Sequence, residues 1–119
     1  MYVFSFEKLT AWQESIKMIK ELYKQTQSFP ADERFGLTSQ MRRSSVSVAS
    51  NLAEGTSRQT KKDKSHFTTL SYSSLMELLN QLIIAKELEF IAEKEYLELR
   101  KMIEKIANLT NALRKSQVD

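Results

Sequence analysis

Apolar residues recur along this chain at steps of three and four, and four stretches hold the pattern long enough to predict helices. In the first, about residues 6–27, Leu9, Trp12, Ile16, Ile19 and Tyr23 fall on one face. Ser5 is placed to cap it, with Glu7 in the first turn. Phe29-Pro30 ends it, because the residue before a proline is pushed out of the α region. The second, about residues 37–57, puts Leu37, Met41, Ser45, Val48 and Leu52 on one stripe, with Gly55 as a stop signal. Thr60 and Asp63 have the spacing of a capping box. They open a third segment, about residues 61–88, carrying Phe67, Leu70, Leu75, Leu78, Leu82 and Ala85. After the break Glu89-Phe90-Ile91-Ala92, the fourth segment, about residues 93–115, repeats Leu99, Ile103, Ile106, Thr110 and Leu113 with heptad spacing.

Helices of about 20 residues are about 30 Å long, and short connections between helices of matched length make sequential neighbours antiparallel. The prediction is an all-α, up-down-up-down four-helix bundle forming one domain over residues 1–119. Composition agrees. Two glycines and one proline in 119 residues disfavour a turn-rich β fold, and 41% hydrophobic residues suffice for one core. The absence of cysteine excludes a disulfide framework and thiolate chemistry. MYVFSFEKL lacks the pattern of a secretory signal, and no apolar run approaches the roughly 18 residues of a membrane span, so a cytoplasmic protein is expected.

Two features point beyond a single subunit. Ser44, Ser45, Ser47, Ala49, Ser50 and Ala53 in the second segment, and Thr68, Thr69, Ser71, Ser73 and Ser74 in the third, form small faces that let backbones approach closely. Tyr2, Phe4 and Phe6 alternate with Val3 and Ser5, the pattern of an extended aromatic arm. Such an arm either folds back on its own bundle or docks on a neighbouring subunit.

The ordered elements FP with an acidic pair, FGLTSQ, Arg42-Arg43, Ser47, Asn51, Ala53-Glu54-Gly55, Arg58, Phe67 and Ser74-Leu75-Met76-Glu77-Leu78 resemble proteins encoded in intervening sequences of bacterial 23S ribosomal RNA genes, also called the S23 ribosomal protein family. The resemblance spans nearly the whole chain. It implies a four-helix bundle that assembles into a closed homo-oligomeric ring of five. It also implies kinship with accessory bundle proteins of diversity-generating retroelements, which bind nucleic acid and a reverse transcriptase. The family name implies no ribosomal role. Two places depart from the family pattern: Ser44-Ser45 where alanines are usual, and Tyr72-Ser73 where an arginine and a glycine often precede the serine.

The polar residues of the motif are the first candidates for a site. If the second and third helices run antiparallel about a turn near Arg58-Gln59, Gln40 and Arg43 lie level with Glu77 and Ser74, and Asn51 lies level with Phe67. With Glu54, these residues are expected to form an interior structural network in which a carboxylate is paired with a guanidinium, since a buried unpaired charge is costly. No metal or cofactor is expected. A di-iron bundle needs two Glu-x-x-His pairs, whereas the chain has one histidine, His66, three residues after Asp63. With no cysteine, no glycine-rich phosphate loop and one histidine near a helix start, no nucleophile and base can be assigned, so the chain is read as non-enzymatic.

Charge supplies the remaining candidate. Between Arg34 and Lys64 seven basic residues face two acids, a net of +5, whereas between Glu87 and Glu98 five acids face one lysine, a net of −4; the whole chain is only +3. Arg58, Lys61, Lys62 and Lys64 fall in one loop and first turn, at the bundle end shared with the first and last residues of the sequence. A ring would repeat that cluster around one rim, suited to the phosphate backbone of RNA or DNA. The expected partners are further copies of the chain, nucleic acid, and a protein such as a reverse transcriptase. The competing function is an oligomeric scaffold that binds a protein partner without nucleic acid.

Overall fold

The computed structural model describes residues 1–118, and among them there are four α-helices and no strand. They are α1 (Thr10–Thr26), α2 (Leu37–Thr56), α3 (Lys61–Glu87) and α4 (Glu93–Ser116), with short 3-10 helices over Ser5–Lys8 and Ala31–Glu33. Helix α1 packs on α2 and α4, and α3 packs on the same two, so each helix has two neighbours around one core. The longest dimension is 44 Å.

The core is built from Met18, Leu22, Met41, Val48, Leu52, Leu75, Leu78, Leu82, Leu99, Ile103 and Ile106, all essentially inaccessible to water. In α2 the whole predicted stripe is buried. In α4 the stripe is buried from Leu99 to Thr110, with Tyr96 added and Leu113 half-buried. In α1 the buried face is Ala11, Ser15, Met18, Leu22 and Thr26, while Ile16 and Ile19 are half-buried and Tyr23 is exposed. The expected face was therefore off by part of a turn. Ser15 and Thr26 count as polar in a periodicity, yet each hydroxyl donates to a carbonyl one turn back, Ala11 O at 2.7 Å and Leu22 O at 2.8 Å, and is buried without an unmet bond. Leu70 of α3, also expected inside, is exposed.

The ends of the helices have identifiable local causes. Thr60 caps α3, its hydroxyl accepting from the Asp63 N–H at 3.1 Å. Ser5 does not cap α1; it opens the 3-10 helix, and α1 begins after Leu9. Helix α3 ends in a Schellman motif: the Phe90 N–H donates to Ala85 O and the Glu89 N–H to Lys86 O, both at 2.9 Å, with Glu89 in the left-handed region at φ 62°. Phe90 then packs on Phe29, ring centroids 5.8 Å apart, which joins the α3–α4 and α1–α2 connections at one end.

Helices α2 and α3 approach closely because their facing residues are small. The Ser71 hydroxyl donates to Val48 O at 2.8 Å, and Ser44, Ser45 and Ala49 are buried. Gly55 does not stop α2, which continues to Thr56; it lies where a Cβ would stand 3.2 Å from Cβ of Phe67. Part of each small face is thus used within the subunit, while Ser50 and Ser73 remain exposed.

Candidate functional site

The expected interior network is not formed as placed. Arg43, Gln40, Glu54 and Glu77 are exposed, and no ion pair joins Arg43 to Glu77 among the described residues. The register also differs. Ser47 meets Ser74, and Gly55 meets Phe67, so positions rise along α2 as they fall along α3, about three residues away from the expected pairing. The exposure itself follows from helix rotation: the buried face of α2 runs through Met41, Ser44, Ser45 and Val48 and that of α3 through Ser71, Leu75, Leu78 and Leu82, which leaves Arg43 and Glu77 on the outer faces. The position level with Phe67 is Gly55 rather than Asn51.

The polar contact that does form is smaller. The Ser47 and Ser74 hydroxyls are 2.8 Å apart, and the Asn51 amide donates to Ser47 Oγ at 3.1 Å and Ser47 O at 2.9 Å. Glu77 instead accepts from Gln81 Nε2 one turn along α3, at 3.3 Å. Gln81 is 5% exposed, and its carbonyl oxygen has no hydrogen-bond partner among the described residues.

Most buried hydroxyls among the described residues are engaged in backbone bonds. Besides Ser15, Thr26 and Ser71, Ser45 donates to Arg42 O, Thr68 to Lys64 O and Thr110 to Ile106 O. His66 is exposed in the second turn of α3, its ring edge-on to Phe67 at 5.5 Å. Among the described residues no group of three or more acidic or histidine side chains could hold a metal ion. Among the described residues no helix is long and apolar enough to cross a membrane.

The expected basic cluster does gather at one end. Arg58 lies in the α2–α3 connection, its guanidinium 4.3 Å from the Phe67 ring centroid, a cation–π contact that fixes the fork against the helix. Lys61, Lys62 and Lys64 occupy the first turn of α3, and the Lys62 and Lys64 ammonium groups make no hydrogen bond or ion pair among the described residues. A cavity of about 290 Å³ beside them is lined by Ser5, Leu9, Gly55, Lys64, Thr68 and Gln117. Residues from the start of the sequence and the end of α4 therefore share this end.

Two cations missed in the sequence join the cluster. Ser65, Arg114 and Lys115 line one adjacent depression, and Arg114 stacks 4.7 Å from the Tyr72 centroid. In sequence they are 56 and 57 residues from Arg58, and the signal that could have found them is the up-down path, which brings the last residues of the sequence to this end.

The aromatic arm begins here too. Rings run from Tyr2 to Phe4 (4.9 Å), Phe6 (6.5 Å) and Trp12 (5.2 Å), and the Glu7 carboxylate accepts from the Phe4 N–H at 2.8 Å. Phe6 is folded against the bundle, whereas Tyr2 and Phe4 are 75% and 59% exposed.

The other basic residues of the +5 segment lie at the far end of α2, whose 20 residues span about 30 Å. Arg34, Arg42 and Arg43 line a separate cleft there. What reads as one basic stretch is divided between two ends of the molecule.

A family model described as 23S rRNA-intervening sequence protein matches residues 7–112. Among curated proteins none matches. A crystal structure of a protein of unknown function from the S23 ribosomal protein family of Bacteroides thetaiotaomicron VPI-5482 is similar, with a TM-score of 0.79 at 20% identity; the match covers 89% of this chain and 99% of that one. At that identity the likeness speaks for the fold.

Proposed function

We propose, from the premise that this chain belongs to the 23S rRNA-intervening sequence protein family, that it is a non-enzymatic, cytoplasmic accessory protein that binds nucleic acid through a basic rim. The observation that carries this reading is the gathering of Arg58, Lys61, Lys62, Lys64, Arg114 and Lys115 at one end. Cations so placed meet phosphates through charge, and each neutralised phosphate releases counterions, which favours binding without base reading. An up-down-up-down path for the four helices is supported by the opposed residue order across α2 and α3 and by each helix having its two neighbours. A closed ring of copies, with five as the number that the family resemblance implies, would repeat the rim. The exposed Tyr2 and Phe4, which can meet a second copy, favour assembly.

The same arm supports a second reading, a scaffold whose partner is a protein such as a reverse transcriptase. Retention of the protein on RNA and duplex DNA across salt concentrations separates the two. The rim reading expects log affinity to fall against log salt with a slope of several units, about 0.9 per phosphate contact on duplex DNA. Lys61→Gln, Lys62→Gln and Lys64→Gln together should flatten the slope while leaving the mass by light scattering unchanged. No salt-sensitive retention of either nucleic acid at about 50 mM salt would overturn the rim reading and leave the scaffold.

A further inference from the structure

The cleft at the far end of α2 has a chemistry that the lysine rim does not use. Tyr23 of α1, Arg34 and Phe35 of the connection, and Thr38, Ser39, Arg42 and Arg43 of α2 surround an open volume of about 400 Å³, within the usual range for small-ligand pockets. Its floor is fixed. Arg42 Nε donates to Thr26 Oγ1 at 3.0 Å and Nη2 to the Tyr23 carbonyl at 3.3 Å, while the guanidinium lies 4.6 Å from the Tyr23 ring centroid. Thr26 is buried, so the guanidinium is anchored to the core of α1 rather than free to swing into solvent.

Two further guanidiniums, Arg34 and Arg43, are exposed beside it, and none of the three makes an ion pair among the described residues. Positive charge therefore converges on the cleft, three guanidiniums against the one Glu33 carboxylate that stands beside Gly36 at its edge. Beside the charge stands an unusual apolar group. Phe35 is 88% exposed, with the Arg34 guanidinium 5.4 Å from its centroid. A phenyl ring left in water next to arginines that make no ion pair suits a ligand that is both aromatic and anionic. Guanidinium forks match phosphate oxygens in shape as well as charge, and an exposed ring offers its face to a base.

We propose that this cleft binds a nucleotide unit, with the phosphate held by Arg34 and Arg43 over the field of the anchored Arg42 and the base stacked on Phe35. Arg42 is a positioning residue, since its Nε and one Nη already serve the protein. The site stands apart from the rim, because α2 separates the two ends by about 30 Å. The same chemistry is offered by a free nucleotide and by an unpaired nucleotide of a strand.

Calorimetry at physiological salt with ADP, a short single-stranded oligothymidylate and inorganic phosphate tests the proposal. ADP or the oligonucleotide should bind saturably, and inorganic phosphate, lacking a ring, about tenfold more weakly or less tightly still. Preference for ADP identifies a free nucleotide as the ligand, and preference for the oligonucleotide identifies a strand. Phe35→Ala and Arg43→Gln should each weaken the preferred probe about tenfold, the loss expected for one stacking or charge-assisted contact. Both positions are exposed, and a melting curve establishes that each variant folds; Arg34→Gln is the second arginine variant if Arg43→Gln does not. The triple lysine variant of the rim should bind ADP as the unaltered protein does, so failure here and failure of the rim reading are separate results. Absence of saturable binding by both nucleotide probes, equal binding of inorganic phosphate, or binding unchanged by Phe35→Ala and Arg43→Gln would overturn the proposal.

Discussion

Glu89→Gly should stabilise this protein, and the structure sets the size of the gain. Glu89 occupies the left-handed position of the Schellman motif that ends α3, at φ 62°, with both cap hydrogen bonds formed at 2.9 Å. An L side chain in that conformation costs about 1–2 kcal/mol, because Cβ crowds the following carbonyl. Glycine removes the crowding but gains freedom in the unfolded chain, which returns about 0.4–1 kcal/mol. The net is a stabilisation of about 0.5–1 kcal/mol. For a chain of 119 residues the unfolding entropy at the midpoint is about 0.25 kcal/mol/K, so Tm should rise by about 2–4 °C. Removing a carboxylate beside the negative end of a helix also contributes, about 0.3–1 kcal/mol. Glu89→Ala isolates that part, since it removes the charge and keeps the strained Cβ. Thermal unfolding followed by circular dichroism, with all three proteins at one concentration because self-association would make Tm concentration-dependent, should rank Gly above Ala by about 2–4 °C. Glu89→Gly melting at or below Glu89→Ala would show that the left-handed conformation is not held in solution.

Two further outcomes follow from buried and paired polar groups. Gln81→Met should leave the protein as stable or raise the free energy of unfolding by about 1 kcal/mol, read by urea titration, because it removes a buried carbonyl oxygen that has no partner among the described residues; a loss above about 1 kcal/mol would mean that the amide is satisfied in solution. The Glu14 carboxyl is held below its usual range chiefly by its hydrogen bond to Lys105, 3.1 Å away across α1 and α4, with Lys17 assisting. A carboxylate with a depressed folded pKa contributes stability above its unfolded pKa and loses it as pH falls through the folded value. Lys105→Ala should therefore raise the Glu14 titration midpoint seen by carbon-detected NMR and weaken the acid dependence of stability; an unchanged midpoint would remove the α1–α4 ion pair from solution.

The number and extent of the helices, and the buried stripe of α2, were decided by local chemistry that the sequence displays. Thr60 caps α3, the run before Pro30 ends close to α1, and the stripe from Leu37 to Leu52 is buried intact. These features depend on residues a turn or two apart, whose spacing the backbone fixes before any packing occurs. The basic loop was legible for the same reason, since Arg58, Lys61, Lys62 and Lys64 are neighbours in sequence.

What lay beyond the sequence required distances between helices. The α2–α3 register differs by about three residues from that of a symmetric turn, and the rotation of each helix about its axis leaves Arg43 and Glu77 in solvent. Gly55 reads as a stop signal, but its smallness serves the approach of Phe67 from α3. Ser15 and Thr26 read as polar, yet hydrogen bonds to their own helix let them enter the core and rotate the buried face of α1. Arg114 and Lys115 meet the basic end through the packing of α4 beside α3, and Arg34, Arg42 and Arg43 lie away from it because α2 is a rigid rod of about 30 Å. The sequence determined which residues carry charge and where α2, α3 and α4 begin; tertiary packing decided which charges meet, because convergence depends on helix register and length rather than on proximity along the chain.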